Sequence, residues 1–397
     1  MHHKKFKIMN EQLFYPTKII IGHNIYQRIS NILDPSYLKI LIITGKKSMN
    51  EAGIIKILKD KLEQNQKEVL IFSDIDRNPT DVQVDEISRI NKKFKADCII
   101  GIGGTSSIDA AKIVGMLYTN GGNSWDYINV VDRKAKKIAY ESTPVIVIPT
   151  TSGGGSESTP YAVITNSKTK MKKGMKSMEL YPKIAIIDTG LLKLMPKEIV
   201  ANSGFDAFTQ ALEAFTSKNS NFISDFFAFT SIRLILKNFE SSWNDANDIN
   251  AKKNMGIASF FSGLAIGITD TNLAHAMSHP LSAKFNVPHG IAVFLCTSQA
   301  ILYNKTIMNE KYFQIAKLIT NDIKEKNPTY IIIEKIFSWA KKFNISLKFQ
   351  DYDIPKNSID DLVNDAIQIG GILTNSRTVE RTDLLELFKK AYDGKII

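Results

Sequence analysis

Asp97-Cys-Ile-Ile-Gly-Ile-Gly-Gly-Thr-Ser106 is the stretch that decides the fold. Its apolar, β-branched run is too short for a helix and reads as a buried strand. Glycines follow, and Ser106 to Tyr118 then carries apolar residues at helical spacing. The same alternation continues to either side. Lys39 to Thr44 is a strand and Glu51 to Leu62 a helix, with Ile54, Ile55, Ile57, Leu58 and Leu62 at helical spacing. Val69 to Phe72, Pro144 to Pro149 and Ile184 to Asp188 are further strands, and Val82 to Phe94 is a helix. Strand, helix, strand at this spacing predicts a parallel sheet covered by helices.

From about Thr189 the pattern changes. The stretches 197–217, 222–240, 249–266, 271–284, 289–304, 309–322, 328–343 and 358–370 show three-to-four-residue apolar spacing with few β-branched runs between them. The expected organisation is an α/β domain over residues 1–190 and an all-α domain over 191–397. The junction near 190 is expected to form the ligand cleft.

Composition excludes several classes. With 397 residues, 44% apolar and 23% charged, the chain is neither disordered nor fibrous. Its apolar runs fall well short of the roughly 20 residues of a membrane-spanning helix. No apolar segment follows the basic N-terminal arm, so no signal peptide is read there, and Met9 is a candidate alternative start. Cys98 and Cys296 lie apart in apolar runs, as expected of reduced thiols in a cytoplasmic protein. The net charge of +11 comes from lysines dispersed in short groups among acids and aromatics. That distribution describes a solvated surface rather than a nucleic-acid site, and it favours small anionic ligands.

Chemistry concentrates in three places. Gly103-Gly104-Thr105-Ser106 ends a strand and opens a helix, where main-chain N–H groups hold a pyrophosphate; Asp109 and Lys112 sit on the first turns of that helix. A strand-to-helix turn also takes glycine for steric reasons alone. Pro149-Thr-Thr-Ser-Gly-Gly-Gly-Ser-Glu157 sets Thr150, Thr151, Ser152 and Ser156 around glycines, which suits a diphosphate or ribose. In the third place, Asn272 to Pro280 puts His275 and His279 four residues apart on one helical face, and His289 follows from a turn. Upstream, Asp206 and Gln210 share a face in the same way. Imidazoles and a carboxylate converging from two helices and a turn form an open site for zinc or ferrous iron.

These residues carry a resemblance to the iron-containing (group III) alcohol dehydrogenase family. Asn78-Pro-Thr80, Gly103 to Lys112, Pro149 to Glu157, Ala185-Ile-Ile-Asp188, Gly204 to Glu213, His275 to Pro280 and Pro288-His-Gly290 agree with it in order and spacing. The resemblance implies a dehydroquinate synthase-like architecture, with a dinucleotide-binding domain over residues 1–190 and a helical metal and substrate domain over 191–397. It also implies hydride transfer between NAD or NADP and a small alcohol or aldehyde at Fe2+ or Zn2+. Carried over by position, the metal ligands are Asp206, Gln210, His275 and His289, with His279 catalytic beside the substrate. The cofactor residues are Gly45, Lys46, Asn78, Gly103, Gly104, Thr105, Ser106, Asp109, Thr150, Thr151 and Ser156.

Two positions depart from the family pattern: Gln210 stands where histidine is usual, and Thr105 replaces the third glycine. A neutral amide predicts a weakly held metal. Thr44-Gly45-Lys46-Lys47-Ser48 offers lysines and no acid to a ribose 2′ position, which predicts a preference for NADP(H). The alternatives are a dehydroquinate synthase-like lyase and a nucleotide-binding protein that has lost catalysis. A further one is a phosphonoacetaldehyde-type reductase, for which Thr159 to Ala162 and the basic run Lys170 to Lys176 show some likeness. The substrate is therefore a neutral or an anionic aldehyde, no nucleic acid or membrane partner is expected, and a homodimer is allowed.

Overall fold

The computed structural model describes residues 13–130, 133–323 and 327–394; the N-terminal arm with Met9 lies outside them. Eight strands are present among these residues: β1 (Lys18–Gly22), β2 (Lys39–Gly45), β3 (Glu68–Ile75), β4 (Cys98–Gly103), β5 (Val145–Pro149), β6 (Tyr161–Thr165), β7 (Lys172–Lys176) and β8 (Ile184–Asp188). Six of them form one parallel sheet in the order β3–β2–β4–β5–β8–β1. Strand residues alternate between faces, and each face has its own helices. Ile40 and Ile42 meet Leu58 and Leu62 of α1 (Ile54–Glu63) on one side. Leu41 and Ile43 meet Val84 and Ile87 of α2 (Asp81–Phe94) and Ile108 of α3 (Thr105–Asn120) on the other.

That arrangement places a crevice. The chain leaves β2 over one face and leaves its neighbour β4 over the opposite face, and the two departures open a gap at the carboxyl edge of the sheet, where ligands of such folds bind. Gly45, Ile75 and Gly103 end β2, β3 and β4 around the first turn of α3; a Cβ on Gly45 would lie 3.9 Å from Ser107 Oγ, and one on Gly103 2.7 Å from it.

The second half is helical: α4 (Lys197–Phe215), α5 (Phe222–Asn244), α6 (Ile249–Thr269), α7 (Leu273–Phe285), α8 (His289–Asn304), α9 (Asn309–Ile319), α10 (Pro328–Phe343), α11 (Ile359–Ala366) and α12 (Arg381–Asp393). Helix α4 runs through the middle, packed by α5, α6 and α8. Phe205 and Phe208 join Phe239 and Trp339 in its core. A helix buried on all sides must find partners for each polar residue it carries, which makes Asp206, Gln210 and Glu213 informative.

Two features differ from the sequence expectation. Strand β1 was not expected; it joins β8 along Lys18↔Ile184 to Gly22↔Asp188, a pairing across more than 160 residues. Asp188 fastens it further, its carboxylate accepting from the backbone N–H of Asn24 and Tyr26. Residues 161–176 form an antiparallel hairpin, β6 on β7. Its turn is anchored by Thr165 N–H on the Pro79 carbonyl, and the Asp81 carboxylate accepts from Ser167 N–H and Asn166. Cys98 and Cys296 are buried free thiols, and no described helix is long and apolar enough to cross a membrane.

Candidate active site

Asp206 and Gln210 lie one turn apart on α4, His275 and His279 on α7, and His289 opens α8. The structure brings Asp206, His275 and His289 together, with one ligand atom of each within 4.8 Å of the others. His275 Nε2 stands 3.3 Å and His289 Nε2 3.9 Å from Asp206 Oδ1. His279 completes a row of rings, its centroid 5.8 Å from that of His289.

Glu213, two helical turns beyond Asp206, sets the His275 ring. Its Oε2 lies 2.6 Å from His275 Nδ1. The same carboxylate accepts from the N–H groups of Asn272, Ala274 and His275, closing the start of α7. Sequence reasoning missed this residue, although positions 206, 210 and 213 follow one helical face. Burial opposes charge on His275, but Glu213 and Asp206 outweigh it and raise its pKa to about 9. Burial, together with the positive charges of Lys172 and His275, lowers His279 to about 3. His289 is held well below its ordinary value by burial, Lys172, His275 and His279.

The set fits a divalent cation: two imidazole nitrogens and a carboxylate converge, and one imidazole is oriented by a carboxylate behind it, as metal-binding histidines commonly are. Gln210 is engaged elsewhere, its Nε2 donating to the Gly154 carbonyl and its Oε1 accepting from Ser262.

The sequence-read cofactor residues divide into two groups. Gly45, Gly103, Gly104 and Thr105 line the crevice, and Gly103 holds φ +145°, a backbone region other residues avoid. No side chain caps the start of α3 at Gly104, which leaves that helix end able to take a phosphate. Thr150 N–H donates to the Gly103 carbonyl, and Thr151 approaches Gly104. Other members are committed to the protein itself. Ser106 donates to the Arg77 carbonyl, and Ser156 to the Asp109 carboxylate, which also accepts from Val163 N–H. Lys112, buried beside them, donates to the carbonyls of Ser156, Thr159 and Tyr161. Asp109, Lys112 and Ser156 therefore brace the 149–163 loop from inside. The glycines of that loop serve close packing: a Cβ on Gly155, at φ +62°, would lie 2.7 Å from Gly263 Cα on α6.

Lys46 brings a correction. No acid follows it directly in sequence, but the end of β3 and the residue after it bring two, with Asp76 2.8 Å and Asp74 3.5 Å from its Nζ. Asn78 accepts from Lys172 Nζ at 3.1 Å. Lys172, one cation of a basic run in the sequence, reaches the site only because the hairpin carries it there.

Two family models match this chain end to end with the architecture above: iron-containing alcohol dehydrogenase over residues 16–189, and the C-terminal part of the same family over residues 200–392. The chain belongs to the iron-containing alcohol dehydrogenase family. Among members of this family, an NAD-dependent methanol dehydrogenase from Bacillus methanolicus is 26% identical over 95% of this chain and 99% of its own. An NADPH-dependent butanol dehydrogenase from Clostridium saccharobutylicum is 27% identical over 96% and 97%. The solved structure of an archaeal halo-thermophilic alcohol dehydrogenase from a Red Sea brine pool superimposes with a TM-score of 0.90, at 29% identity and 96% and 99% coverage. The family is one of alcohol dehydrogenases that use NAD(P), and its name records iron.

Proposed function

We propose that this chain reduces small aldehydes, and oxidises the corresponding alcohols, with NAD(P)(H) in the crevice and a divalent cation at Asp206, His275 and His289. The observation that carries the reading is the convergence of those three side chains, with Glu213 behind His275. A divalent cation held by these side chains would supply polarisation of the carbonyl oxygen, and the nicotinamide would supply the hydride, so that no strong protein base is required. Glu213 orients His275 through Nδ1 and leaves Nε2 for the cation. His279 meets the substrate oxygen as a neutral imidazole, and its Nδ1 is buried with no partner in the protein. Gln210 holds the Gly154 turn against α4, and any ligation by its amide oxygen competes with Ser262.

Cofactor choice follows from Lys46. Its pairing with Asp74 and Asp76 offsets the charge that a 2′-phosphate would meet, so we infer use of both NADH and NADPH in place of a marked preference for NADP(H).

The test is oxidation of NADH and NADPH with a panel of short aldehydes, using protein depleted of metal and then supplied with iron or zinc. Metal-dependent turnover is expected. A lyase or a nucleotide-binding protein without catalysis would consume no cofactor, and full turnover by metal-free protein would remove the cation from the reading.

A further inference from the structure

Beside His279, a small cleft lies between the hairpin and the helices α7 and α11. Its wall includes Lys170, Lys172 and Lys173 from the hairpin, with Pro280, Ala283 and Ile369 opposite. The acid on this wall, Asp365, is paired with Lys284 at 2.6 Å. Among the described residues, none of the three hairpin lysines has an ion-pair partner. Lys172 donates to Asn78 and Lys173 to the Asn129 carbonyl, both neutral acceptors. The cleft thus brings the hairpin lysines beside His279, with the charge of Lys172 offset in part by Asp206 and Asp109.

We propose that this pocket is an anion subsite, and that the substrate is a short aldehyde whose far end carries a carboxylate, sulfonate or phosphonate group held by Lys172 and its hairpin neighbours. The inference rests on the aldehyde-reductase reading above and narrows its substrate class. Burial depresses the ammonium groups of Lys172 and Lys173, so a counter-ion arriving here would relieve a cost the protein otherwise bears. The hairpin is fixed at its turn by the Pro79 carbonyl and Asp81, so Lys172 is presented by a braced element. The apolar wall of Pro280, Ala283 and Ile369 suits the intervening methylenes. Lysines serve as point charges for such groups.

Butanal and 4-oxobutanoate have the same chain length and differ at the far end by a methyl against a carboxylate. The wild-type holoenzyme is expected to favour 4-oxobutanoate in kcat/KM by about tenfold or more, and Lys172→Met to reduce that ratio about tenfold, chiefly through KM. Lys172→Arg should retain part of the ratio. Lys170→Met, at the exposed turn, should reduce it in the same direction and guards against a folding failure at position 172. Calorimetric titration with 2-hydroxyethanesulfonate supplies a readout apart from turnover: binding in the wild type that weakens in both variants supports the subsite. Turnover of butanal with no preference for 4-oxobutanoate would overturn the anion subsite and leave the reductase reading standing. Turnover of neither aldehyde would instead count against the reductase reading, and the titration then decides the subsite alone. A Lys172→Met effect confined to the KM of NAD(P)H would reassign the lysine to the cofactor and also overturn the proposal.

Discussion

His275 Nδ1 and Glu213 Oε2 stand 2.6 Å apart, and the same glutamate carboxylate receives three backbone N–H groups at the start of α7. One side chain therefore fixes both the helix that carries two histidines and the ring orientation of the first. Glu213→Gln should fold but lower metal affinity by about 10- to 100-fold, the usual effect of removing the group behind a metal-binding histidine. Glu213→Ala should in addition lower stability by at least about 2 kcal/mol, because buried donors lose their acceptor. Elemental analysis after identical dialysis and urea unfolding measure the two effects; full metal content in Glu213→Gln would reject the assignment.

Gln210 supports a separate expectation about the metal. Its amide bonds Gly154 and Ser262, so the wild type should leave purification partly empty. Gln210→His should raise zinc or iron content, at a cost of about 1–3 kcal/mol for two lost hydrogen bonds. Stoichiometric metal in the wild type, unchanged in the variant, would show that Gln210 does not limit occupancy.

The ion pair of Lys46 with Asp76 makes cofactor choice adjustable. Asp76→Asn should free the lysine and raise kcat/KM for NADPH relative to NADH by about five- to tenfold, and Lys46→Ala should move the ratio the other way. An unchanged ratio in both variants would place the ribose elsewhere.

For His279, paired substitutions separate proton transfer from hydrogen bonding. His279→Ala should reduce kcat by about 100- to 10,000-fold if the imidazole relays a proton, with metal content retained. If hydrogen bonding is its whole contribution, His279→Gln should recover most of that loss. Metal lost along with activity would make His279 a ligand, and loss of folding would make it a structural residue before Pro280.

Much of the fold was legible in local pattern, because buried parallel strands and amphipathic helices leave short-range signatures. The β4 run and its glycines, the helix from Pro328 to Phe343 and the helix opened by His289 could be read directly. The pairs His275/His279 and Asp206/Gln210 were legible for a similar reason: helical spacing puts residues four apart on one face. Strand β1 and the β6–β7 hairpin were not. The first is an edge strand whose partner, β8, lies more than 160 residues away, and the second buries little apart from Ala162, Ile164 and Met175.

The sequence by itself determined the alternation of strands and helices and the kinds of ligand atoms available. Those depend on residue identity and on spacings of a few residues. Only the tertiary structure decided that Glu213 stands behind His275, that Asp76 answers Lys46, that Asp109 and Ser156 bond each other, and that Lys172 faces His279. Each of those relations joins elements distant in the chain, and charge acts through space, so a group's neighbours are fixed by packing and not by its place in the sequence.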